Sequence, residues 1–424
     1  MLRLRDKIGT FGNVLVKFAS AQVISNFLRL ISGFLVVRLL EPSIYGLYTG
    51  VGVYLGYILL GQGGIINGLG RELPFELGKG NDKFSRQLAS SVFVLTIFVG
   101  FIASIIFISL SVYYFIANNI LAGWIYLSYS ILGMLYLLNS QFLPVLYRTN
   151  NDFNSLSKQN LLFGFGNLVT VLLVYFFSIY GLMIRGILLS TFQFYLLFSN
   201  KPYELDFKIE FKDLKRLFKT GLPIFSVGYV NTLWSTIINS ILFSFGGAVA
   251  FGLYALSTII ENTLKVIPTS FGGVIYPRMS IMYGKGLGIQ EIIKSNIKPL
   301  FFQFIVMLMI SLIGYYLLPI FVPIFLPNYI EGIEAAQWML FVPVVLSFGA
   351  VNHIYNVTKK QFWYFISLLS GVLIGTIYIL ISYKIYGFSL VIFPQGLLLG
   401  KLIQQILSIL FIRKLIYDER KEFK

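Results

Sequence analysis

The chain has 424 residues, 57% of them hydrophobic and only 12% charged, about half the charged share of a soluble domain. That excludes a soluble globular protein, so the net charge of +16 is read as a basic membrane face meeting anionic lipid, and nucleic acid is not an expected partner. The lack of any cysteine excludes disulfides, thiolate metal sites and cysteine nucleophiles.

A bilayer core needs about 20 apolar residues per helix. Twelve stretches meet this: 16–38, 47–66, 88–112, 120–146, 159–179, 182–199, 221–245, 249–276, 299–326, 334–354, 361–383 and 387–412. The first follows a basic segment but has no small-residue cleavage site, so it is read as a retained helix. Basic residues then fall on alternate sides. One side carries Arg3, Arg5, Lys7 and Lys17; Arg71, Lys79, Lys83 and Arg86; Arg148 and Lys158; Lys201, Lys208, Lys212, Lys215, Arg216 and Lys219. It continues with Arg278, Lys285, Lys294 and Lys298; Lys359 and Lys360; and Arg413, Lys414, Arg420, Lys421 and Lys424. These are 27 of the 33 basic residues; the other side shows Arg38, Arg185 and Lys384, and Arg29, Lys265 and Lys401 lie inside spans. Basic loops stay in the cytosol, so both termini are expected there, in a multi-pass protein of the cell membrane.

The chain reads as a duplication. Tyr45-Gly46-Leu47-Tyr48 recurs as Phe251-Gly252-Leu253-Tyr254 at the entry to a later span. Leu73-Pro74 ahead of Gly78-Lys79-Gly80 is echoed by Tyr276-Pro277 ahead of Gly284-Lys285-Gly286. Six spans per half is an even number, so the halves are parallel repeats about an axis along the membrane normal. The expected fold is an all-α integral membrane protein with twelve transmembrane helices in two six-helix lobes. Residues 1–199 form the N-terminal lobe, 200–219 a cytosolic basic linker and 220–424 the C-terminal lobe. Phe207, Ile209, Phe211, Leu214, Leu217 and Phe218 alternate with basic residues in the linker; an amphipathic helix on the inner leaflet and a solvated linker both stay open. Outer loops are short, which leaves no external domain.

Ionisable side chains at mid-bilayer cost about 2.5–3.5 kcal/mol each on insertion scales, so each asks for a reason. Arg29 shares one polar face of the first span with Gln22, Ser25, Asn26, Ser32 and Gly33. Glu261 and Lys265 stand four apart on the eighth span beside Ser257, a spacing that favours an ion pair. Lys401 has Gln404 and Ser408 on its face. Three interior cations against one acid favour an anionic substrate, with Arg29, Lys265, Lys401, Gln22, Asn26 and Ser257 as substrate contacts. Glu261 is the one candidate for coupling to H+ or Na+. Arg38 and Arg185 are read as snorkelling anchors, His353 as a satisfied polar contact, and Trp124 and Trp338 as interfacial belt residues. Gly52/Gly56, Gly64/Gly68 and Gly396/Gly400 are small-xxx-small pairs for close helix packing. Pro319, Pro323 and Pro327 are expected to kink or unwind the ninth span. No phosphate loop, dinucleotide fingerprint, His-Glu-x-x-His or serine elbow occurs, so neither an enzyme nor a cofactor is expected.

Val37-Arg38-Leu39-Leu40-Glu41-Pro42-Ser43-Ile44-Tyr45-Gly46-Leu47-Tyr48 resembles the Arg-Leu-Leu-Gly-Pro-x-x-Tyr-Gly-x-Tyr signature of polysaccharide flippases in the multidrug/oligosaccharidyl-lipid/polysaccharide (MOP) superfamily. Glu41 replaces the usual glycine, and Ser43-Ile44 the acidic pair often found before Tyr-Gly. Gly68-Leu69-Gly70-Arg71 through Gly78-Lys79-Gly80-Asn81, and Phe325-Leu326-Pro327-Asn328-Tyr329 ahead of Ala335-Ala336, are similar to later stretches of that family. The resemblance implies a MOP/MATE-like fold and a flippase that moves polyprenyl-diphosphate-linked oligosaccharide to the outer leaflet. Transport would proceed by alternating access, with the first, second, seventh and eighth helices facing a central cationic cavity. Partners are then the lipid-linked oligosaccharide, membrane lipids and a coupling H+ or Na+, and the protein is expected to be a monomer.

Three alternatives fit less well. A drug exporter of the same architecture needs embedded carboxylates, and only Glu261 is available. A major-facilitator transporter needs Gly-x-x-x-Asp-Arg between its second and third spans, which Asn67–Arg86 lacks. A glycan polymerase or ligase needs large arginine-rich external loops.

Overall fold

The computed structural model describes the backbone of residues 2–422 and their side chains except at 2–16, 19, 273, 274, 277 and 422. Arg3, Arg5, Lys7, Pro277 and Lys424, used in the sequence reading, lie outside those described side chains.

Hydrocarbon offers backbone N–H and C=O groups no partner, so each span must satisfy its own as helix. Among the described residues there is no strand. The order is α1 (Leu2–Leu39), α2 (Pro42–Gly52), α3 (Leu55–Ile58), α4 (Ile65–Gly78), α5 (Asp82–Ile116), α6 (Ile120–Leu137), α7 (Leu143–Thr149), α8 (Phe153–Val169) and α9 (Val171–Ser199). There follow α10 (Phe211–Leu253), α11 (Ala255–Leu264), α12 (Val266–Gly284), α13 (Ile289–Phe325), α14 (Ile333–Met339), α15 (Val342–Leu346), α16 (His353–Val357), α17 (Gln361–Tyr386) and α18 (Ile392–Glu422).

Among the described residues ten helical stretches are long and apolar enough by themselves to cross a membrane. The expected fifth and eighth spans are the two not among them, and each is interrupted. The fifth is α8 plus the opening turns of α9, interrupted at Thr170; the chain reverses into the sixth at Ser178, whose φ of 49° and ψ of −125° lie within α9. The eighth is cut at Tyr254 and Lys265, and the turn out of the seventh is Gly247, at φ 70° within α10. The ninth, expected to kink or unwind at its prolines, unwinds at the last of them. α13 runs helically through Pro319 and Pro323 and stops only at Leu326, where Pro327 opens a 3-10 turn.

Two connections share one device. Asn118 and Asn151 take left-handed backbone at φ 59° and 58°, which asparagine tolerates. The next residue caps the following helix: Asn119 accepts from the Ala122 N–H and Asp152 from the Ser155 N–H.

The chain folds as two compact units, Met1–Leu40 with Leu47–Thr236, and Glu41–Gly46 with Ile237–Lys424. In the first unit the core joins Leu69 and Leu73 of α4, Leu88 and Val92 of α5, Phe142, Leu143 and Leu146, and Leu217 of α10. Small residues let backbones touch where lipid supplies no hydrophobic drive. A Cβ on Gly68 would stand 2.2 Å from the Leu217 carbonyl oxygen, and one on Gly221 1.9 Å from that of Gly64. Residues 201–210 are not helical. The N–H groups of Asp206 and Glu210 donate to Ser90 Oγ and Ser91 Oγ at 3.0 and 3.1 Å, while Tyr203 is buried in the core. The first turns of α10 are held the same way: Gln87 donates to Asp213 at 2.8 Å, and Arg216 pairs with Glu72 and Glu76 at 2.5 and 2.8 Å.

In the second unit Ile275 and Met279 of α12, Ile292 and Leu300 of α13, Ile354 and Tyr355 of α16, and Ile412 of α18 form one core. Beside it Ser408 Oγ donates to Asn352 Oδ1 at 2.5 Å, and Tyr355 donates to the Ser408 carbonyl at 2.6 Å.

Candidate functional site

The face of α1 that carries Arg29 packs along α8. Gln22, Asn26 and Arg29 recur at helical spacing, opposite Asn160, Phe163 and Asn167, and a Cβ on Gly164 would stand 3.0 Å from the Ser25 backbone. At that approach the polar side chains join into a seam. Asn160 Nδ2 donates to Gln22 Oε1 at 2.8 Å, and the Arg29 Nη2 donates to Asn26 Oδ1 at 2.9 Å. The Arg29 guanidinium sits 5.8 Å from the Phe163 ring centre, within cation–π range. Further along, Arg185 of α9 donates to Ser32 Oγ at 2.7 Å and to Asn167 Oδ1 at 3.2 Å. Arg185 is therefore a tie between α1, α8 and α9 and not the snorkelling anchor expected from its place near a span end.

One side of the seam opens into a cavity of about 520 Å³ inside the first unit. Arg29, Gln22, Asn160 and Gln159 reach it from α1 and α8, and Ser190 and Gln193 from α9. Asn139 and Ser140 enter through a π-helical turn, Leu138–Phe142. The cause is in the sequence: Pro144 has no N–H for the carbonyl four residues back, and the ladder widens ahead of it. Arg148, at the end of α7, is exposed at the rim. No Asp or Glu is among the described residues lining this space. Neither Arg29 nor Arg148 makes an ion pair among the described residues, so the cavity carries two uncompensated guanidinium charges amid amides, hydroxyls and aromatic edges.

The other predicted residues lie in the second unit. Lys265 Nζ stands 3.9 Å from Glu261 Oε1, as the spacing of four led one to expect. Lys265 sits at the break between α11 and α12 with 42% of its side chain exposed, against 27% for Glu261. Lys401 of α18, half-buried, donates to Gln404 Oε1 at 3.2 Å. Glu261 lies within electrostatic reach of Lys401 and of Tyr254. Ser257 is fully buried, with no partner for its hydroxyl among the described residues, so the face expected to offer Ser257 with Glu261 and Lys265 is not open along its length. The structure thus gathers Gln22, Asn26 and Arg29 in one unit, and Glu261, Lys265 and Lys401 in the other.

Sequence reasoning missed Arg148, which was counted among cytosolic loop residues, and the amides Asn139, Gln159, Asn160 and Gln193. The available signal was the interruption of apolar spans by the polar pairs Asn139-Ser140 and Gln159-Asn160.

A helical membrane protein with such a cavity is similar in fold to transporters of the MOP superfamily. An inward-facing multidrug resistance MATE family transporter of that superfamily matches with a TM-score of 0.73 at 16% identity, covering 96% of this chain and 99% of that one. The eukaryotic MATE transporter AtDTX14 matches at 0.64 and 14% identity, covering 98% and 99%. A MOP superfamily transporter from Pyrococcus furiosus matches at 0.58 and 16% identity, covering 95% of each chain. Identities this low show the fold alone. No curated protein matches the chain by sequence. Residues 35–307 match the family described as "Polysaccharide biosynthesis protein", and the chain belongs to that family. Its fold is that of the multi-pass transporters of the MOP superfamily.

Proposed function

We propose that the protein flips polyprenyl-diphosphate-linked oligosaccharide from the cytosolic to the outer leaflet of the cell membrane, with both termini cytosolic, by alternating access. The observation that carries this reading is the first unit's cavity, in which Arg29 and Arg148 face amides and hydroxyls with no carboxylate among the described lining residues. Guanidinium groups bind phosphates and carboxylates with charge-assisted hydrogen bonds, and the amides suit sugar hydroxyls. A cation-exporting site needs the opposite sign. The Pyrococcus furiosus transporter is described by the reverse polarity of its binding pocket, which suggests a different function for that protein; pocket polarity is the property that separates the readings here as well. Family membership in polysaccharide biosynthesis supports the same cargo.

In the second unit Glu261 is the coupling group for H+ or Na+, with Lys265 and Lys401 holding its charge. The test is deletion of the gene in its own cell. Lipid-linked oligosaccharide accumulating on the cytosolic leaflet is the expected result; normal export with no accumulation would overturn the reading.

A further inference from the structure

We infer that the strap from Phe207 to Lys212, on the basic face of the first unit, is a site for an anionic phospholipid of the leaflet it touches. This surface is separate from the cavity. The inference rests on the cytosolic placement of that face proposed above and on nothing about the cargo.

Depth is the first observation. The last charged residue of α5 is Arg86, and none follows to its end at Ile116. Arg86 pairs with Glu204 at 3.4 Å, both side chains being exposed, which marks the level of water and headgroups. From there the strap climbs α5. The Asp206 N–H donates to Ser90 Oγ and the Glu210 N–H to Ser91 Oγ, and the Phe207 ring lies 5.5 Å from that of Phe93. Between Arg86 and Phe93 the helix rises about 10 Å, at about 1.5 Å per residue. That depth is where interfacial segments meet the boundary of headgroups and acyl chains.

The backbone chemistry fits the same depth. Residues 201–210 are not helical, so no helical ladder serves their N–H groups. Water does so in a solvated linker, whereas deeper in the interface a protein acceptor is needed. Ser90 and Ser91, 3% and 0% exposed, supply two such acceptors from an otherwise apolar stretch of α5. Residues 201–210 are thus neither the amphipathic helix nor the solvated linker that the sequence left open.

Exposure and charge name the occupant. Phe207 and Phe211 are 78% and 76% exposed although the backbone beside them is tied down, and rings so presented at the acyl boundary bury themselves in lipid. Lys208 and Lys212, both exposed, lie beside these rings in the chain and make no ion pair among the described residues. Asp206 and Glu210 offset part of this charge, leaving the exposed Lys215 and Lys219 as the excess. A zwitterionic headgroup brings its own cation to the phosphate and an anionic one does not, so the lysines favour the anionic lipid.

The test uses the full-length protein in phosphatidylcholine vesicles. The chain has no cysteine, so Phe207→Cys, Phe211→Cys and, as a control at an exposed position near the start of α5, Lys83→Cys each accept a single nitroxide or bimane label. Oxygen should relax the nitroxides at 207 and 211 more than a water-soluble nickel chelate does, with the reverse at 83. Bimane at 207 or 211 should be half-quenched by brominated phosphatidylglycerol at a mole fraction at least about threefold below that needed of brominated phosphatidylcholine. Lys208→Gln combined with Lys212→Gln should bring the two lipids to near parity. Two label positions are used so that one can fail to fold without closing the test, and elution of each variant as a single species checks folding. Four outcomes overturn the inference: nickel reaching 207 and 211 as readily as 83, shielding of both positions from oxygen and nickel alike, equal quenching by the two lipids, or a preference unchanged in the double lysine variant. None of these measurements involves transport, so their failure is distinct from failure of the flippase reading.

Discussion

Gly46 and Gly252, the glycines of the two repeated signature segments, meet backbone to backbone within the second unit. A Cβ on Gly46 would stand 2.5 Å from the Gly252 nitrogen and 1.8 Å from the Ala248 carbonyl oxygen, and one on Gly252 would stand 1.8 Å from the Pro42 carbonyl oxygen. The two segments that match in sequence are therefore also in contact. Because the obstructing atoms are backbone, no side-chain rotation relieves a methyl group here.

Gly252→Ala should cost at least about 1–3 kcal/mol and lower both the level of protein in the membrane and its melting temperature in detergent. Gly78→Ala serves as the control, since a Cβ at Gly78 meets nothing within 4 Å. Equal melting of the two variants would show that the approach relaxes freely.

Arg185 joins three helices through Ser32 and Asn167. Hydrogen bonds to charged groups contribute about 1.5–3 kcal/mol, so Arg185→Ala is expected to destabilise the protein by about 2 kcal/mol, read as a lower midpoint of thermal unfolding. Ser32→Ala, which removes one partner, should cost less. An unchanged midpoint for Arg185→Ala would return this residue to the role of a surface anchor.

Glu76 gives a pH signature. Hydrogen bonds from Asn81 and then from Arg216 hold its carboxyl below the ordinary carboxylate value, with Lys79 assisting. A carboxylate with a depressed folded-state value contributes stability that is present above the unfolded value, about pH 4.3, and is lost as pH falls through the depressed one. Wild type should therefore melt above Glu76→Gln at neutral pH, and the gap should close as the solution is acidified below about pH 4.3. A gap that persists in acid would assign the difference to packing.

How much of this was legible in the sequence differs from residue to residue. The spans were readable because hydrocarbon forces helix on any apolar run of sufficient length, and the Glu261–Lys265 pair because helical spacing of four places both on one face. The break at Ser178 was not, since serine carries no propensity for φ 49° and no glycine or proline marks the turn locally. Of the three prolines of the ninth span, Pro319 and Pro323 leave α13 helical, since neighbouring groups can satisfy a carbonyl freed by proline, and the turn unwinds at Pro327. In the candidate site the polar stripe of Gln22, Asn26 and Arg29 announced itself by period. Arg148, Asn139 and Gln159 converge with it from three other segments of chain, a meeting that no local pattern encodes.

If Glu261 couples transport to an ion gradient, Glu261→Gln should make flipping in proteoliposomes indifferent to an imposed proton or sodium gradient, whereas wild type responds to one of them. Among the described residues Lys265, at 3.9 Å, and Lys401 are basic neighbours of this carboxylate. A variant that responds as wild type does would leave Glu261 as a structural partner of Lys265.

The measurement closest to the central claim is flipping of a polyprenyl-diphosphate-linked oligosaccharide by purified protein in liposomes, compared with Arg29→Ala and with Arg29→Ala combined with Arg148→Ala. Loss of one charge-assisted contact is worth about 10–100-fold, so the single variant should slow transport by that factor and the double variant should fall to the protein-free background, both inserting at normal levels. Wild-type rates from the double variant would contradict the account.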